Sequence, residues 1–261
     1  MRNVRIEIEY DGTAYYGWQR QSGLPTIQQK LEEAVERSTE ERAAIQGSGR
    51  TDTGVHALRQ VAHFRTSTRL PDETLLRAVN SYLPRDIAVL RCETASPRFH
   101  AQFDAISKRY VYFVRSSRVA HPVGRRHVWW VPYRLSLEKM RQGALAFLGS
   151  HDFRSFANVE KGARGTRRRI YSFKILPSKD LFLFAVEGDG FLLHMVRTMV
   201  GTLVEIGRGK MAPSRIPSIL EARDRKRAGP TAPACGLYLL RVKYRSKSRR
   251  SRRKRVEEFA E

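Results

Sequence analysis

Segments with a two-residue apolar period alternate along this chain with amphipathic helical ones, an order that restricts it to a mixed α and β architecture. Val4, Ile6, Ile8 and Tyr10 alternate with Arg5, Glu7 and Glu9, the pattern of a half-buried strand that Asp11-Gly12 ends. Lys108 to Arg115 repeats it, with Tyr110, Tyr112 and Val114 on one face and Arg109, Val111 and Phe113 on the other. Val61–Thr66, Ile87–Cys92, Ile170–Leu176, Leu181–Glu187 and Gly236–Tyr244 read as further strands. Helices fall between them. Thr26 and Gln29 form a capping box before the stripe Ile27, Leu31, Ala34 and Val35, which predicts a helix over 27–37. Leu70-Pro71-Asp72 starts a second helix and Leu83-Pro84 stops it. Ser136–Leu148, with Gly149 as its C-cap, and Pro213–Arg223 are two more, and residues 121–133 read as a connector.

At 261 residues the chain can bury one large core or two of roughly 100 to 150 residues. Each half holds a strand, a Gly/Asp turn, a helix and further strands, which predicts a duplicated α+β unit divided into residues 1–105 and 106–244. From Arg241 to Arg255 ten of fifteen residues are basic and none is acidic, so residues 245–261 read as a disordered basic tail. With 49 Lys and Arg against 26 Asp and Glu, a net charge of +23 calls for a polyanionic partner. A membrane surface is the rival polyanion. No apolar run reaches the roughly 18 residues of a spanning helix, and the first ten residues lack the apolar core of a signal peptide, so a cytoplasmic protein with no membrane association is expected. Two distant cysteines and seven scattered histidines match no zinc spacing, and no metal is expected.

The stretch with most chemistry is Gln46-Gly-Ser-Gly-Arg50-Thr-Asp52-Thr-Gly-Val-His-Ala57, where three glycines bracket one cation and one carboxylate. Asp52 alone is an ordinary turn residue, and the glycine spacing fits no phosphate cradle. Tyr15, Tyr16, Trp18 and Arg20 could stack on bases or pack in the core. The segment from Lys161 to Arg169, with Arg164, Arg167 and Arg168, is a candidate for gripping phosphates. A helix predicted over 191–206 places Leu192, Met195, Val196, Met199 and Leu203 on one face and His194, Thr198 and Glu205 on the opposite one. Arg197 lies between the faces, half sunk among apolar neighbours, and therefore needs an anion. Asp52, Glu205 and Asp189 could each supply it.

Gly47-Ser-Gly-Arg-Thr-Asp-Thr-Gly-Val-His-Ala57 closely resembles the signature of the TruA family of tRNA pseudouridine synthases. The resemblance continues through Asn80-x-x-Leu-Pro-x-Asp-Ile87, Phe99-His-Ala101, Arg109-Tyr-x-Tyr112, His151-Asp-Phe-x-Ser-Phe156, Gly190-Phe-Leu-x-x-Met-Val-Arg197 and Ala228-Gly-Pro-Thr-Ala-Pro-Ala234, as far as Tyr244. It implies two ferredoxin-like α+β halves whose mostly antiparallel sheets join around a central basic cleft, and a homodimer in which two subunits share one tRNA. It also implies an isomerase converting uridine to pseudouridine in the anticodon stem-loop, a reaction with no redox step and therefore no cofactor. Asp52 would be the nucleophile, Tyr110 would stack on the base and help remove the C5 proton, Arg197 would contact Asp52, and Arg50 would hold the flipped nucleotide. Gln102 stands where the family usually carries Arg, removing one cation, and His194 is expected to serve packing rather than chemistry. The alternatives are a non-catalytic RNA-binding protein using the same basic cleft and a synthase acting on another RNA.

Overall fold

A computed structural model describes residues 1–159 and 165–245, so Arg164 and the basic tail beyond Arg245 lie outside the described residues. In chain order the elements are β1 (Arg2–Tyr10), α1 (Ile27–Thr39), β2 (Gln46–Gly47), β3 (His56–Thr66), α2 (Asp72–Tyr82), β4 (Ile87–Ala95), β5 (Ala105–Ser116) and β6 (Trp129–Val131). They continue as α3 (Leu137–Leu145), β7 (Gly149–Asp152), β8 (Arg167–Ser178), β9 (Leu181–Gly188), α4 (Met195–Gly207), α5 (Arg215–Ala222) and β10 (Leu237–Tyr244). The architecture is mixed, as the alternating periods require.

The described strands form one ten-stranded sheet in the order β4-β1-β3-β10-β5-β9-β8-β7, with β2 added beside β3 and β6 beside β5. Its pairings are antiparallel except at two places, β10 with β3 and β5 with β6. The last strand therefore stands in the middle, joining β4-β1-β3 to β5-β9-β8-β7 through the register Tyr238↔His56 and Leu239↔Ala57. Parallel neighbours need a crossover, and here nearly the whole second half of the chain supplies it.

The apolar set of β1 fixes which face is covered. Val4 stands opposite Phe64, Ile6 opposite Ala62 and Tyr10 opposite Ala57, all of them buried. Across the joint the same face continues through Leu239, Tyr110 and Val186. α1 and α2 pack together on the first half, and α3 and α4 on the second. On the other face the charged alternates pair across strands, Arg5 with Glu93, Arg59 with Glu7 and Arg109 with Glu187. Such cross-strand pairs stabilise a solvated sheet face modestly.

Several expectations are corrected in detail. Thr26 caps α1 by accepting from the Gln29 amide at 3.3 Å, yet the Gln29 side chain turns to Glu33 instead of closing the box. α3 ends at Leu145, and Gly149, at φ +94, opens β7 instead of capping a helix that reaches Leu148. The 121–133 connector contains β6. α4 starts at Met195, four residues later than its periodicity suggests, because His194 takes a left-handed φ of 62. Thr198 is fully buried, since the 228–232 loop closes over it, with Ala232 N donating to Arg197 O at 3.2 Å.

Candidate active site

The Asp52 loop is held by its neighbours on every side. Trp18 N donates to Thr51 O at 3.0 Å, Ser48 N to Val61 O at 2.7 Å and Gly54 N to Tyr15 O at 3.3 Å. Ser48 Oγ donates to Gln60 Oε1 at 2.6 Å, Gln60 Nε2 to Gly49 O at 2.9 Å, and the Tyr10 and Thr51 hydroxyls share a bond of 2.9 Å. Gly17 lets the preceding turn press against it: at φ +82 a β-carbon would stand 2.6 Å from Thr51 O. Backbone pinned this closely presents its side chains in one geometry, which chemistry at a fixed point requires.

Asp52 opens into a cavity of about 950 Å³ over the middle of the sheet. Tyr110 and Leu237 come to it from the strands, Gln28 from α1, Gly49 to Asp52 from the loop, and Phe191 to Arg197 from the turn before α4 and its first residues. Arg197 Nη1 donates to Asp52 Oδ2 at 3.1 Å, while its Nε donates to Ala232 O at 2.8 Å, so the guanidinium is oriented by two acceptors. The anion Arg197 needed is therefore Asp52. Glu205 instead pairs with Arg208 at 2.9 Å, and Asp189 accepts from the Arg169 amide. Tyr110 is 7% exposed with Phe191 edge-on at 5.2 Å, and burial, then the Tyr10 and Asp52 charges, push its phenol well above the usual range. It stays protonated through neutral pH. Arg50 is exposed on the same cavity and makes no ion pair among the described residues.

Three distant segments thus bring Asp52, Tyr110, Arg197 and Arg50 to one cavity. Arg167 and Arg168 do not line it. Arg168 donates to Gly165 O and Arg167 O, both at 2.6 Å, although its charge reaches Lys108. The aromatic cluster divides: Trp18 and Tyr15 are buried, with Trp18 on the cavity wall, and Tyr16 is half exposed. Gln102 lines the cavity mouth.

Two residues stand at the site in places the sequence reading did not give them. His194 does more than pack: its Nε2 lies 3.5 Å from Asp52 Oδ2, and its buried Nδ1 has no partner. Burial holds this imidazole below the usual histidine range despite the nearby carboxylate, so it is neutral at neutral pH. Nothing in a 3.6-residue period marks a left-handed residue at a helix start. Lys108, read only as a strand terminus, sends Nζ to Ser48 O at 2.7 Å and ties β5 to the loop. Burial, with the Arg168 charge, lowers its pKa. Asp11, His56 and His127 place ligand atoms within 4.8 Å of one another, a set able to hold a metal ion that does not line the cavity. It is assembled from three remote positions with no motif spacing to reveal it.

A family model described as tRNA pseudouridine synthase matches residues 6–104 and 144–245. Curated relatives called tRNA pseudouridine synthase A align over 94% of this chain and their whole length, among them those of Pelobacter propionicus at 46% identity, Acetivibrio thermocellus at 43% and Thermoanaerobacter sp. X514 at 42%. Among solved structures, an archaeal box H/ACA sRNP Nop10-Cbf5 complex aligns over 77% of this chain and 44% of that chain, with 16% identity and a TM-score of 0.34, too low to transfer detail.

Proposed function

The chain belongs to the tRNA pseudouridine synthase family, and from that premise we propose that it isomerises uridines of the anticodon stem-loop with Asp52 as the nucleophile. The observation that carries this reading is the 3.1 Å bond between Arg197 and Asp52 beside the buried ring of Tyr110. The reaction breaks the N1–C1′ bond of uridine and forms C5–C1′; C5 loses a proton and N1 gains one, with no change of oxidation state. Between these events one fragment must be held while the uracil turns. A carboxylate fixed by a guanidinium can hold it.

Tyr110 supplies an aromatic face for a base that has left its stack, and its phenol, protonated at neutral pH, takes the C5 proton only as it hands its own to N1 of the freed uracil, ending as it began. Arg50, exposed at the mouth, holds the flipped backbone or fills the gap in the helix. Arg167 and Arg168, outside the cavity, contact phosphates at a distance from the target. The two halves 1–105 and 106–244 act as jaws joined by β10, and a homodimer binds one tRNA in the cytoplasm. Among the described residues no helix is long and apolar enough to cross a membrane.

The test is site-resolved pseudouridine mapping on tRNA treated with the purified protein. Product in the anticodon stem-loop is expected. Product confined to other positions overturns the site assignment, and absence of product overturns the activity.

A further inference from the structure

Two large apolar side chains lining the Asp52 cavity, Leu193 and Phe103, are displayed instead of buried, and Phe103 is the more exposed. Phe103 is 75% exposed, and it lines both the Asp52 cavity and a second cavity of about 1120 Å³. An exposed aromatic ring is unremarkable on a loose loop. The turn that carries this one is not loose. His100 N donates to Asp104 Oδ2 at 2.9 Å, and Asp104 N donates back to His100 O at 3.1 Å. His100 Nδ1 accepts from Gln102 N and Phe103 N at 3.2 and 3.3 Å. Ala101, fully buried, donates its amide to His63 Nδ1 at 3.2 Å and accepts from the Tyr244 hydroxyl at 2.6 Å.

The His100 ring stacks on Phe103, centroids 4.1 Å apart and planes 27° off parallel. His63 in turn packs against His100 at 4.7 Å. One face of Phe103 is thus backed by a stacked ring on a fixed turn, and most of the side chain remains in solvent. The cavity beyond carries Arg5, Arg59, Arg91, Arg241, Lys243 and Arg245 against Glu7, Glu93 and Asp104, a net positive wall suited to phosphates.

We propose that Phe103, backed by His100, is a stacking platform for the nucleobase adjacent to the target uridine, directing the RNA strand from the Asp52 cavity toward the second, basic cavity. The inference rests on the tRNA-modifying reading of the Asp52 site. Extruding one base deprives its neighbour of a stacking partner, and an aromatic face accepts any base because every base has a π-face. Rigid display means that little ordering is required on binding.

The experiment uses the full chain with tRNA and with anticodon stem-loop RNA carrying 5-iodouridine next to the target. Phe103→Ala should raise KM on the order of tenfold, the effect of losing one base–aromatic stack, with a much smaller change in turnover at saturating tRNA. Phe103→Tyr should restore KM, and irradiation should cross-link the 5-iodouridine to residue 103 of the wild-type chain. A wild-type KM for Phe103→Ala, or cross-linking that bypasses residue 103, overturns the platform. If the wild-type chain forms pseudouridine while Phe103→Ala behaves like it, the platform alone fails; if the wild-type chain forms none, the reading beneath it fails.

Discussion

Arg197 reaches Asp52 across 145 residues of sequence and bonds it at 3.1 Å, with Ala232 O fixing the other side of the same guanidinium at 2.8 Å. The two acceptors lie on different segments, so a single side chain sets the distance between the Asp52 loop and the 228–232 loop. A lysine carries the charge but cannot satisfy both acceptors from one planar fork. Arg197→Lys should therefore fold and bind tRNA while its single-turnover rate falls on the order of 10²-fold, the cost of a misplaced reacting group. Stopped assays under saturating enzyme measure it.

Close backbone packing behind Arg197 gives a second prediction. A β-carbon on Gly201 would stand 1.9 Å from Pro230 O, so α4 lies against the 228–232 loop with no room for a methyl group. Gly201→Ala should destabilise the protein by roughly 3 kcal/mol, the upper range for overpacking, despite alanine's better helix propensity. Because the displaced loop also carries Ala232, turnover should fall with stability. A urea titration read alongside the assay checks both.

Acidification should weaken the fold in the range where histidines titrate. Burial lowers the pKa of His56, His63 and His194, so all three are neutral in the native state. The unfolded chain takes up protons near pH 6.5, whereas the folded chain resists until lower pH. The stability these groups contribute is fully present above about pH 6.5 and is lost as pH falls through their folded values. The urea midpoint should drop between about pH 7.5 and about pH 5.5 with an unchanged slope; a flat or rising midpoint contradicts the burial of these rings.

Local patterns carried the fold a long way. The alternation in β1 and β5 and the stripe of α1 recur in the structure with the faces they imply, because a period reports which side of an element meets the core. What periodicity cannot report is a partner chosen by closure of the whole sheet. The seat of β10 between β3 and β5, the short strands β6 and β7, and the covering of Thr198 by a remote loop all depend on contacts more distant than any local window. At the site, Asp52, Tyr110 and Arg197 were legible through motif resemblance, and Arg197 also through its position among apolar residues. Lys108 and His194 were not. Their roles come from a 2.7 Å bond across the joint and a single positive φ, neither of which leaves a mark in composition.

In the proposed reaction the Asp52 carboxylate forms the bond that holds the substrate fragment. Its most direct test is pseudouridine formation by Asp52→Asn, a change that keeps the shape of the side chain and its contact with Arg197 but removes the nucleophile. The tRNA affinity of this variant should stay near that of the wild type while turnover falls by at least about 10⁴-fold. Pseudouridine appearing at a rate close to the wild type would contradict that role of Asp52.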